Sequence, residues 1–180
     1  MKRILLLVLF IVGFFSCNEE KNDSDFQYQY KKVLYTFQPS LNINSQVVID
    51  FETKDLYFLK AYDYVEEPPL IGEMKISDKT KTSIKEFHHK LSNEELKDLE
   101  KILKTYQDKD FKTIDDISFD GMHTTFSIIN TKDEIKTGFT NKNNKTVAQS
   151  VLFDKILDLL TKYDVIKENS NLISYYQMMK

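Results

Sequence analysis

The stretch "QVVIDFETKDLYFLKAYDY", residues 46–64, decides the fold. It holds two runs in which β-branched and aromatic residues recur at every second position, one on each side of Glu52-Thr53-Lys54-Asp55. A period of two sends successive side chains to opposite faces of a strand. Two such runs joined by a short polar segment predict an antiparallel hairpin. Immediately upstream, "FQYQYKKVLYTF" (26–37) alternates Phe26, Tyr28, Tyr30 and then, after a slip at Lys31-Lys32, Val33, Tyr35 and Phe37. The slip predicts a bulge inside one long strand. Downstream, Glu66-Glu67-Pro68-Pro69 reads as a loop, and residues 73–77 and 82–90 as a further pair of strands turning at Asp78-Lys79.

The period then changes. Leu96, Leu99, Ile102, Leu103 and Tyr106 lie on one face at helical spacing. Ser92 is placed to cap this helix, with Glu95 reaching back as the box partner and Leu91 stapling onto Leu96. "HTTFSIINTKDEIKTGFT" predicts a second hairpin, turning at 131–133 through Thr-Lys-Asp, as the first does at 53–55. A second helix follows from Thr146, boxed by Gln149, with Leu152, Ile156, Leu159, Leu160 and Tyr163 as its inner stripe, helped by Phe153. The tail "NLISYYQMM" spaces Leu172, Tyr175, Tyr176 and Met179 as one face of a short docking helix. Short antiparallel connections with segregated helices define an α+β domain: a sheet of hairpins, two main helices on one face and a short C-terminal helix.

Before this domain the pattern is different. Lys2 and Arg3 precede an unbroken apolar run from Ile4 to Phe15, relieved only by Gly13. Twelve residues are too few to span a bilayer, which takes about 20 in a helix. Charge, apolar core and the small Ser16 describe a signal peptide over residues 1–16. The motif Phe14-Phe15-Ser16-Cys17 resembles the lipobox of bacterial lipoproteins, with Phe14 where leucine is usual and Phe15 where a small residue is common. That resemblance implies a diacylglycerol on the Cys17 thiol and cleavage just before it. The acidic residues Glu19, Glu20 and Asp23 resemble the export tag of surface lipoproteins in the Bacteroidota, and the pattern from Leu91 to Tyr163 resembles small exported α+β domains of such lipoproteins. The resemblances imply a cell-envelope protein anchored by lipid, at the outer membrane and exposed on the surface; they imply a fold class and no activity. Cys17 is the chain's sole cysteine. No intramolecular disulfide can form, and acylation would remove an otherwise exposed thiol. Residues 17–25 then form the lipidated start and a hydrated tether, and 26–180 one domain.

With Lys2 and Arg3 removed, the 25 basic residues become 23 against 28 acidic ones, so the remaining chain is acidic. Its lysines are scattered among acids instead of massed on one stripe, which argues against nucleic acid. Four glycines, with neither a Walker A nor a dinucleotide fingerprint, argue against nucleotide binding. No cofactor is expected.

Candidate chemistry is sparse. His88 and His89 are adjacent in a strand and point to opposite faces; one of them would have to meet His123 across the sheet, with Asp120, to hold a metal. "DDISFDG" gathers Asp115, Asp116 and Asp120, but Ile117 and Phe119 interrupt the alternate oxygen ladder of a calcium loop. Glu66 with Glu67, or Asp115 with Asp116, could form a hydrolytic carboxylate pair, although adjacency in sequence fixes no separation across a bond. No G-x-S-x-G elbow is present. Catalytic and metal residues are therefore expected to be none.

Aromatic richness remains, with ten Tyr, thirteen Phe and no Trp. The plainer reading gives the inward half of each strand to the core. A ligand face falls on the outward residues Tyr57, Tyr62 and Tyr64, since tyrosine offers an apolar body and a wet tip. Three functions compete in this order: a non-catalytic binding module with a protein partner at the envelope, an inhibitor or immunity-type protein against an exported toxin, and a hydrolase that brings His88 or His123 onto carboxylates.

Overall fold

The computed structural model describes residues 27–40, 42–61, 84–112, 121–141 and 144–179. In the strand Tyr30–Pro39 (β1), Val33, Tyr35 and Phe37 are buried while Leu34, Thr36 and Gln38 are half-exposed, as period two requires. β1 pairs antiparallel with two partners, Ser45–Asp50 (β2) on one side and Met122–Asn130 (β5) on the other. Its register against β5 shifts between Tyr30 and Lys32, so the expected slip is a real bulge. Asp55–Lys60 (β3), Phe87–Lys90 (β4) and Ile135–Asn141 (β6) complete a six-stranded antiparallel sheet ordered β4-β3-β2-β1-β5-β6. Both predicted hairpins form, and they flank β1.

The two hairpins close by the same device at different residues. Asp50 Oδ1 accepts the N–H groups of Glu52 and Thr53, and Lys54 takes the left-handed conformation at φ 59°. Asn130 Oδ1 accepts the N–H groups of Lys132 and Glu134, and there Asp133 is left-handed at φ 62°. Side-chain oxygens that bond the backbone two residues on are what make Asp and Asn turn residues.

The strand expected over 82–90 is shorter than its pattern. Among the described residues it is confined to Phe87–Lys90, because the N–H and C=O of Lys85 are both taken by the side-chain amide of Asn169, at 3.0 and 2.8 Å. The expected partner strand 73–77 and its turn, the loop at Glu66 to Pro69, and Phe26 lie outside the described residues.

Three helices cover the inner face. Asn93–Lys104 (α1) opens with the expected reciprocal box: Ser92 Oγ accepts from the Glu95 N–H at 3.2 Å, and Glu95 Oε2 from the Ser92 N–H at 2.8 Å. Val147–Tyr163 (α2) repeats it with Thr146 and Gln149. Lys167–Met178 (α3) starts a full turn before the expected stripe, and Leu172, Ile173 and Tyr176 are its buried residues alongside Asn169. A short 3-10 helix, Asp108–Phe111, follows α1. None of these helices is long and apolar enough to cross a membrane.

The core is aromatic where the helices meet β1. Tyr176 stacks on Phe37 with ring centroids 4.5 Å apart, Phe153 meets Phe37 edge-on, and Tyr35 lies over Phe126. Phe126 in turn covers Gly138 of β6, where a Cβ would come within 2.2 Å of the ring. A glycine inside a strand marks such a close approach. Most of the strand aromatics expected at 26–37 are thus core, as the plainer reading held.

Candidate functional site

With every described helix on one face, the other face of the sheet is formed by the outward half of each strand. One row across it reads His88, Tyr57, Val48, Leu34, Ser127, Thr137. The next reads Leu59, Gln46, Thr36, Thr125, Phe139. Neither row carries a carboxylate or an ammonium group. Their polar members pair across strands: Gln46 Nε2 donates to Thr36 Oγ1 at 3.2 Å, and the Ser127 and Thr137 hydroxyls lie 3.0 Å apart. Among the described strand residues of this face charge is confined to the row at one end, where Lys32 meets Asp50 at 3.1 Å and Lys90 meets Asp55 at 3.0 Å. Asp55 is held below the usual carboxylate range by the Lys90 ammonium, against a smaller opposing push from burial. The ring of Tyr57 stands on this face, stacked at 5.8 Å on His88, with its hydroxyl 3.3 Å from Asp55 Oδ2. Tyr62 and Tyr64, the other residues expected on a ligand face, lie outside the described residues.

The histidines do not converge. His88 is on the open face, whereas His89 points to the helical side and stacks on Tyr163 with centroids 3.9 Å apart. His123 is on the open face but stacks on Phe139, four strands from His88. At about 4.8 Å per strand the separation is about 19 Å, too far to share an ion or a proton. The meeting of His88 or His89 with His123 that a metal site would require does not occur in the sheet. Among the described residues no group of three or more His, Cys, Asp and Glu is placed to hold a metal. Asp115, Asp116 and Asp120, Glu66 and Glu67, and Cys17 lie outside the described residues.

The densest polar cluster joins α1 to α2. Glu95, 8% exposed, receives the Ser92 N–H, the Lys162 ammonium at 2.7 Å, and the Tyr163 hydroxyl at 2.7 Å from both of its oxygens. Burial pushes its pKa up, but Lys162, Ser92 and Tyr163 together outweigh that and hold the carboxyl at about 2. An anion fixed in this way is a structural clamp; its lone pairs are occupied and it is poorly suited to accept a proton at neutral pH. The capping pattern revealed the Ser92–Glu95 half. Lys162 and Tyr163 gave no local signal.

A second feature was not expected from sequence. Between the end of α1 and the start of α2 a hollow of about 460 Å³ is lined by Ile102, Val147, Ala148 and Val151, with Lys101, Lys109 and Asp110 among its polar members. Asp110 is 1% exposed; its Oδ2 accepts the Gln107 N–H at 2.7 Å and its carbonyl accepts from Gln149 Nε2 at 2.8 Å.

Comparison with family models, with curated proteins and with solved structures finds no match to this chain.

Proposed function

We propose that this chain is an envelope lipoprotein, anchored to the membrane through a diacylglycerol on Cys17, whose domain is a non-catalytic binding module for a protein partner. The anchor rests on the lipobox-like Phe14-Phe15-Ser16-Cys17 and on the charged tether that follows it. One acyl chain holds a protein only marginally, and two make attachment stable. The binding reading rests on one observation: the sheet face opposite the helices carries two uncharged rows of aliphatic, aromatic and hydroxyl side chains, centred on Leu34, Val48 and Tyr57. Such a face suits a flat partner surface of the same mixed character, since interface centres are depleted in charge and enriched in tyrosine.

Two experiments test this. Labelled palmitate should enter the natural protein and not Cys17→Ala; an unacylated natural protein overturns the anchor. A photo-crosslinking residue at position 57 should give a discrete adduct in intact cells that Leu34→Glu abolishes, while the same residue at Lys97, on the helical side, gives none. Equal adducts at both positions, or none at 57, overturn the binding face. A toxin-like protein as the adduct would convert the module into an inhibitor.

A further inference from the structure

The open sheet face has two unlike ends. Along one runs the charged row, in the order Lys90, Asp55, Asp50, Lys32 across β4, β3, β2 and β1. At the other, β1 and β5 present Gln38 and His123, and no described strand residue there carries a carboxylate or an ammonium group on this face. Between the ends lie the two uncharged rows. A partner that covers the whole face needs an uncharged centre and, at one end only, polar groups that accommodate the charged row.

A second copy of the same face meets that need in one orientation. Sheets that pack face to face keep their strands roughly aligned, about 10 Å apart. A two-fold axis running along the strands lays the charged row on its own copy, with Asp55 over Asp50 and Lys90 over Lys32. Like charges so juxtaposed repel. An axis running across the strands sets each strand antiparallel over its own copy and exchanges the two uncharged rows instead. Leu34 then lies over Thr36, Tyr57 over Leu59 and Ser127 over Thr125, each contact made twice as a two-fold interface requires. Lys32 falls over Gln38, whose amide oxygen can accept from an ammonium group.

The extent of the face is sufficient. An outward strand residue covers about 32 Å², from about 4.8 Å between strands and about 6.7 Å between outward positions. The six strands supply about twenty such positions, so two faces in contact bury about 1,300 Å² before side-chain relief is counted. Specific interfaces bury about 1,200–2,000 Å².

We propose that the open sheet face pairs with a second copy of this chain, strands antiparallel, with Leu34 over Thr36 of the second copy. The inference rests on the reading of this face as a binding surface and names its partner.

Sedimentation equilibrium of the full-length protein in density-matched detergent tests it. The natural protein should have the mass of a dimer at micromolar concentration, and Leu34→Glu that of a monomer with unchanged far-UV circular dichroism. Gln38 reports the orientation. Gln38→Glu, set over Lys32, should tighten the dimer by about two- to fivefold, and Gln38→Lys should weaken it by as much. The proposal is overturned if the natural protein is monomeric at about 100 µM, if folded Leu34→Glu remains dimeric, or if both Gln38 variants shift the dimer in the same direction. A monomer that is still crosslinked at position 57 to a different protein sinks the pairing and leaves the binding face standing; a monomer with no adduct sinks both.

Discussion

The hydroxyl of Tyr163, in the last turn of α2, lies 2.7 Å from both carboxylate oxygens of Glu95, in the first turn of α1. One residue thereby caps its own helix and locks a second helix to it. Because the folded carboxyl is held at about 2, below the ordinary 4.5, the unfolded chain binds more protons between those values. Stability from this contact is complete above about pH 4.5 and drains away as the pH falls toward 2. Acid unfolding followed by far-UV circular dichroism should therefore show a steeper loss over this window for the natural protein than for Glu95→Gln. Tyr163→Phe at neutral pH should cost about 1.5–3 kcal/mol, as for hydrogen bonds to charged groups.

Asn169 holds the backbone just before β4. Its amide, itself buried, satisfies the N–H and C=O of the exposed Lys85, so Asn169→Ala removes two part-buried hydrogen bonds. A loss of about 1–3 kcal/mol is expected from two such bonds. Hydrogen exchange should locate it, with the Lys85 amide losing protection first. Unchanged protection there would contradict the role.

Gly138→Ala sets a methyl group against the Phe126 ring, which is buried beneath the helices. Overpacking of this kind costs about 1–3 kcal/mol. Phe126→Leu, which vacates the space, should partly relieve it, so the double mutant should lose less than the sum of the singles in urea denaturation.

Tyr176 anchors α3 by two separable means. Tyr176→Phe retains the stack on Phe37 and removes the 2.8 Å contact with the buried Ser45 hydroxyl, which should cost about 1–2 kcal/mol. Tyr176→Ala also empties the aromatic core and should cost about 3–5 kcal/mol by thermal denaturation.

Tyr57 stands on the open face, so Tyr57→Ala should move stability by no more than about 1 kcal/mol, whereas Tyr35→Ala on the buried face of β1 should cost about 3–5. A large loss at position 57 would mean that the face is core.

The elements were legible because their signals are local. The bulge at Lys31-Lys32, the two hairpins, the boxes Ser92–Glu95 and Thr146–Gln149 and the stripes of α1 and α2 each follow from spacings of two to four residues, where backbone geometry alone decides which side chains meet. From these the α+β class and the outward placement of Tyr57 followed. One tertiary contact left a trace: Asn169 stands on the apolar face of α3 with Leu172, Ile173 and Tyr176, and a polar residue on such a stripe signals a buried partner.

What only the tertiary structure decided are meetings between residues far apart in the chain. Glu95 and Lys162 are separated by 67 positions, Lys85 and Asn169 by 84, and Gln149 and Asp110 by 39. No periodicity encodes such pairs, because they depend on how helices settle on the sheet after each element has formed. The same holds for the scattered histidines and for the hollow beside α2. Strand order placed His88 and His123 four strands apart, and the seating of α1 against α2 left Val147 and Val151 exposed beside an open hollow.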